Sequence, residues 1–161
     1  MAGESPVRRE KWTSNFWAQE FCSRGREFAP GTRDLYKELA RRALQPIRDR
    51  VARPVVITSG QRLRDVNDAV DGAPNSRHLP PADRSAGERD GVAADLSVPG
   101  YSQAETHRLF QWITQHASEL GLGAVEWYPK GNFIHVDSRE STGVTHWADK
   151  SGRSAWEAGA V

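Results

Sequence analysis

The sequence holds a single cysteine, Cys22, and a single methionine. One cysteine excludes an internal disulfide, and it excludes a zinc site built from four thiolates. No stretch approaches the roughly 18 consecutive apolar residues of a membrane-spanning helix, so no insertion into a bilayer is expected. The opening residues, MAGESPVRREKW, lack the apolar core of a secretory signal, so synthesis in the cytoplasm is expected. Net charge is also scarce. At +1 it offers no electrostatic case for a nucleic-acid partner. The charge is uneven along the chain. Residues 1–53 carry 12 Lys+Arg and 7 Asp+Glu, and residues 54–161 carry 10 and 14. The basic half reads as solvated helix faces, or alternatively as a face suited to an anionic polymer.

Aromatic residues are not scarce. Six Trp, five Phe and three Tyr in 161 residues can furnish one hydrophobic core. The expected organisation is a flexible N-terminus over residues 1–13, a folded domain over 14–140, and a tail over 141–161 that packs on it. A monomer is expected.

The polar residues 1–12 read as loose, and the aromatic cluster in residues 15–21 as a clamp onto the body. Thr32 can cap a helix in which Leu35, Leu39, Ala43, Ile47 and Val51 recur at a spacing of four, with Pro46 as a kink. Residues 54–58 read as a short buried strand. Residues 65–70 form one or two helical turns. Residues 79–90, rich in proline, glycine and charge, read as an exposed loop. Residues 92–98 form a second strand, and a helix runs from Ser102 to about Leu120, ended by Gly121 and Gly123. Residues 124–128 and 133–137 form a hairpin. Helices on a small, mostly antiparallel sheet make an α+β fold.

Three residues beside strands offer metal-ligand atoms: His78, Asp95 and His135. Two imidazoles and one carboxylate, with a fourth position left for water, make a catalytic zinc arrangement. Taken one by one, such residues are more often ordinary core or surface groups. Asp83, Glu88 and Asp90 are rival ligands. His107 and His116 read as surface residues, His146 as part of the tail, and Trp127 and Tyr128 as packing for the hairpin.

The order of the blocks narrows the choice. An aromatic-Glu-Phe-Cys stretch lies within residues 16–22, followed by a Ser59-Gly60-Gln61-Arg62 turn and Asn67 in a short helix. Then come Gly72-Ala73-Pro74-Asn75-Ser76-Arg77-His78, Gly91-Val92-Ala93-Ala94-Asp95 and Ile134-His135-Val136-Asp137. Over roughly residues 14–140 this pattern resembles the zinc D-Ala-D-Ala carboxypeptidases and related murein endopeptidases, whose fold is shared with the hedgehog signalling domain. The resemblance implies one zinc ion held by His78, Asp95 and His135, the stem peptides of bacterial peptidoglycan as substrate, and Arg62 on a substrate carboxylate or the developing oxyanion. It implies that Ser76 orients the loop or the substrate. The expected setting is phage-type cell-wall lysis, after release from the cell or as part of a phage particle.

Two departures stand out. Six residues separate the first His from the Asp in most relatives, and here sixteen do, so residues 79–90 read as an insertion. Many relatives also carry an acid a few positions before the last His, where this chain has Pro129, Lys130, Gly131 and Asn132. Asp137 and Glu126 are the remaining candidates for the general base, and Asp137 is equally a candidate for orienting a ligand histidine. The alternative is a non-catalytic, zinc-containing binding or virion structural module.

Overall fold

Strand alternation decides which side of the molecule becomes the core. In the computed structural model, which describes residues 10–22 and 26–140 and the backbone of 145–148, five strands form one sheet. They are β1 (Val56–Ser59), β2 (Ala93–Ser97), β3 (Ala124–Tyr128), β4 (Phe133–Asp137) and β5 (Thr145–Ala148). Their order is β1-β2-β4-β3-β5. The first four run antiparallel to their neighbours, and β5 runs parallel to β3. Ala94, Leu96, Val125, Ile134 and Val136 point to one face and join the hydrophobic core. Their sequence neighbours Asp95, Glu126, His135 and Asp137 share the other face, yet all four are buried. This is the expected α+β arrangement with a mostly antiparallel sheet.

The long helix of the first half is one rod with a defect. α1 (Arg33–Leu39) runs into a π-helical turn, Ala40–Leu44, and then into α2 (Gln45–Val51). Pro46 has no N–H and its ring would crowd the carbonyl four residues back. The wider turn absorbs this, with the Gln45 N–H reaching the Ala40 carbonyl. The expected stripe buries Leu39, Ala43 and Ile47, and the full seam adds Tyr36, Ala40 and Leu44. After α3 (Arg64–Ala69), α4 (Gln103–Gln115) starts at a capping box in which Ser102 and Glu105 bond each other's backbone N–H groups. It is shorter than predicted. His116 ends it, and turns carry the chain to Gly121, whose φ of 68° suits glycine.

Three other expectations change. β1 is not a buried strand, because it lies at the sheet edge with only β2 beside it, and Val56 is 43% exposed. The N-terminal residues in view are not loose. Trp12 is 5% exposed and stacks on Phe21 and Phe28, and Glu10 pairs with Arg33 and Lys37. Residues 79–90 are not simply an exposed loop. They coil into two short 3-10 turns, Pro81–Asp83 and Ala86–Glu88, around a buried Arg84. The rest of the expected flexible N-terminus, residues 1–9, and residues 141–144 and 149–161 of the tail lie outside the described residues. No helix among the described residues is long and apolar enough to cross a membrane.

Candidate metal centre

The ladder of β2, β4 and β3 sets the first part of the site. Asp95 is the register partner of His135, and His135 is also the partner of Glu126. Directly opposed residues share a face of the sheet, so these three side chains stand in a row. The His135 Nδ1 lies 3.0 Å from the Asp95 Oδ1. A break in register between Ile57 and Ser59 brings Ser59 opposite Asp95, where its hydroxyl accepts from the Arg62 Nε at 3.1 Å. The Arg62 Nη2 reaches the other Asp95 oxygen at 3.3 Å.

His78 comes from a turn instead of a strand. Its Nε2 lies 3.2 Å from the same Asp95 Oδ1 that His135 faces, and the two rings meet edge to face at 5.1 Å. Its Nδ1 is 2.8 Å from the Gly60 carbonyl. Gly60 is needed there, since a Cβ would lie 2.6 Å from the Phe21 carbonyl oxygen. The Ser76 hydroxyl accepts from the His78 N–H at 3.2 Å, and the Arg62 N–H donates to the His78 carbonyl at 2.8 Å. Among the described residues, His78, Asp95 and His135 form the one cluster of three acidic, histidine or cysteine side chains close enough to hold a metal, their ligand atoms within 4.8 Å of one another.

The hydrogen-bond partners decide the tautomers. A carbonyl can only accept, so the His78 Nδ1 carries its proton and leaves Nε2 as a lone pair. The His135 Nε2 donates to the Asp137 Oδ2 at 2.8 Å, which leaves Nδ1 as the ligand atom. Two imidazole lone pairs and a carboxylate oxygen then face one another. Three acceptors repel unless a cation or a proton stands among them, so the donor set fits a divalent metal.

The electrostatics of the site agree with that arrangement. Burial lowers the pKa of His78. Burial also acts to lower that of His135, but the Asp137 and Asp95 carboxylates outweigh it and raise it to about 9. In the metal-free chain a proton takes the place of the cation at Nδ1. Burial acts to raise the pKa of Asp95, and the two histidines overcome it and hold the group well below the usual carboxylate range. For Asp137, burial is likewise outweighed by His135 and Arg139, giving a pKa of about 2.

The other predicted residues divide. Asp137 is fully buried on the far side of His135 from Asp95. Its carboxylate accepts from His135 and, at 2.7 and 2.6 Å, from the Arg139 guanidinium. Glu126 lines a cleft of about 470 Å³ together with His78, Asp95, His135, Arg62 and Ser76. Tyr128 is half-buried beside Glu126, and its burial, together with its hydrogen bond to Glu126, raises the phenol pKa. The rivals Glu88 and Asp90 are paired with Arg77, while Asp83 is exposed, and none joins the cluster. His107 and His116 are half-buried instead of on the surface, against Trp127 and Trp112 at 4.5 Å.

A profile of the family described as peptidase M15 matches residues 10–137. The chain belongs to the peptidase M15 family. The match starts before Trp12 and ends on Asp137, so it takes in the aromatic clamp, all three candidate ligands and the long insertion. M15 peptidases are zinc-dependent, and membership supports a metallopeptidase with peptidoglycan-related peptides as its substrate class. No curated protein and no solved structure matches the chain.

The sequence reading passed over several residues of this M15 site. Tyr128 packs the hairpin as expected, stacked on its register partner Phe133 at 4.5 Å, and it also lines the cleft. Period-two alternation from Glu126 would have placed it there. The Gly60 carbonyl and Arg139 leave no such signal, because each acts through a contact between distant segments.

Proposed function

We propose that this chain is a zinc-dependent peptidase that hydrolyses peptidoglycan peptides, of D-Ala-D-Ala carboxypeptidase or murein endopeptidase type, in phage-type cell-wall lysis. One observation carries the proposal: in an M15 chain, the Gly60 carbonyl and the Asp137 carboxylate turn the free nitrogens of His78 and His135 onto Asp95. A zinc ion held by those three residues supplies Lewis acidity, polarising an amide carbonyl and making water a usable nucleophile near neutral pH.

The protein's own residues do the rest. Arg62, held by Ser59 and Asp95, presents a permanent positive charge to a substrate carboxylate or to the oxyanion. Ser76 fixes the His78 loop at the cleft wall. Asp137 is engaged by Arg139 and His135, so its role is to hold His135. That leaves Glu126 as the proton acceptor for the attacking water, with the Tyr128 hydroxyl holding it in the cleft.

Elemental analysis and digestion of purified peptidoglycan, run on the same samples, test this. The native chain is expected to carry about one zinc and to release new peptide ends. His135→Ala is expected to lose both. Glu126→Gln is expected to keep its zinc and lose about 10²- to 10⁴-fold in rate. A native chain without zinc after metal-replete purification would sink the proposal. A second reading, a zinc-containing binding or virion structural module, is favoured by the absence of an acid in residues 129–132. One zinc per chain with an inert digest would select it.

A further inference from the structure

Residues 79–90 separate His78 from the strand that carries Asp95. A flexible segment of that length would leave the loop-borne ligand poorly placed relative to the strand-borne one. Arg84, 3% exposed, lies at the centre of this segment. Its donors all go to backbone carbonyls. Nε and Nη2 reach Leu79 at 3.0 and 2.8 Å, Nη1 reaches Glu88 and Asp90 at 3.0 Å each, and Nη2 also reaches Arg77 at 3.2 Å and Gly91 at 2.7 Å. Arg77 and Leu79 are the two neighbours of His78. Gly91, with φ 70° and no room for a Cβ against the backbone of Ser138 and Arg139, begins the approach to β2. The Arg77 carbonyl also accepts from the Ala93 N–H at 3.0 Å, which closes the base of the segment.

We infer that Arg84 is a positioning residue for the metal centre, its buried guanidinium tying the carbonyls on both sides of His78 to those leading into the Asp95 strand. The inference rests on the zinc reading above. A guanidinium suits the task because its rigid fan of five N–H donors can serve several carbonyls at once. A lysine has three donors on one atom and can serve only part of the ring. Arg77 supports the same closure from outside, gripping Glu88 and both the backbone and the carboxylate of Asp90.

The test compares the native chain with Arg84→Met, Arg84→Lys and Asp83→Ala. Asp83 is an exposed side chain on the same segment. Three readouts are taken: zinc affinity against a chromophoric chelator, the visible spectrum of the cobalt-substituted protein, and circular dichroism of the metal-free chain. Arg84→Met is expected to keep the native dichroism, bind zinc about 10- to 100-fold more weakly and show an altered cobalt spectrum. Arg84→Lys should recover part of the affinity, and Asp83→Ala should match the native chain. Native zinc affinity and cobalt spectrum in Arg84→Met would overturn the inference alone. Loss of the folded state in both Arg84 variants would also overturn it, by making Arg84 a residue of the global fold. A native chain that binds no zinc would overturn the peptidase reading, and this inference with it.

Discussion

Asp95 and His135 reach the metal centre from paired strands, and His78 reaches it from a turn. The strand pair needs little local help. Its two side chains are register partners across β2 and β4, and Leu96, Ile134 and Val136 bury the opposite face. Backbone ladder and core together hold their separation. The turn has no ladder, so each degree of freedom of His78 is held by its own contact. Gly60 takes the ring, Ser76 takes the N–H, Arg62 takes the carbonyl, and Arg84 takes the carbonyls of both neighbours. A ligand on regular structure is positioned by the fold, and a ligand on irregular structure by a set of side chains that can be removed singly.

Removing a ligand from the strand pair should have the largest effect. Asp95→Ala is expected to lower zinc content from about one per chain to near zero, with no residual digestion, because Asp95 is the carboxylate that both imidazoles face. Zinc retained at full stoichiometry would remove Asp95 from the centre. Asp137→Asn should be milder. An amide oxygen can still accept from His135 but without charge, and zinc affinity should fall about 10- to 100-fold with the fold intact. An unchanged affinity in chelator competition would mean that the strand ladder alone orients His135.

Acidity sharpens the comparison next. The pKa of His135 in the folded, metal-free chain is about 9, above its ordinary 6.5. Its contribution to metal-free stability is therefore full below about pH 6.5 and is lost as the pH rises through about 9. Zinc competes for the same nitrogen, so its affinity should move the other way, rising about tenfold per pH unit until His135 is neutral. Denaturant melts and chelator titrations across that window check both signs, and parallel trends would refute the assignment of Nδ1. The smallest effect belongs to the turn. Ser76→Ala removes one hydrogen bond to the His78 N–H, worth about 0.5–1.5 kcal/mol, so zinc affinity should fall by about tenfold or less. A loss as large as that of Asp137→Asn would show that the turn has no redundancy.

Much of this was legible in the residues. Residues 124–128 and 133–137 were legible as a hairpin, and Ser102 marked the start of α4. The blocks around His78, Asp95 and His135 selected three candidate ligands, and those side chains converge in space. The failures share a cause. Residues 79–90 looked exposed because loops rich in proline, glycine and charge usually are, yet one arginine found five carbonyls and was buried. The strand at 54–58 looked buried because its residues are apolar, yet only its place in the sheet decides what covers it.

The sequence by itself determined most of the elements, the apolar faces and which side chains offer metal-ligand atoms, because periodicity and side-chain chemistry are local properties. Tertiary structure alone decided which nitrogen of each histidine is free, that Asp137 supports His135 from behind while Glu126 faces the cleft, and that the insertion closes on Arg84. Those outcomes depend on hydrogen bonds between residues far apart in the chain, such as His78 with Gly60 and Arg84 with Gly91, and on the register of strands that meet only once the chain has folded.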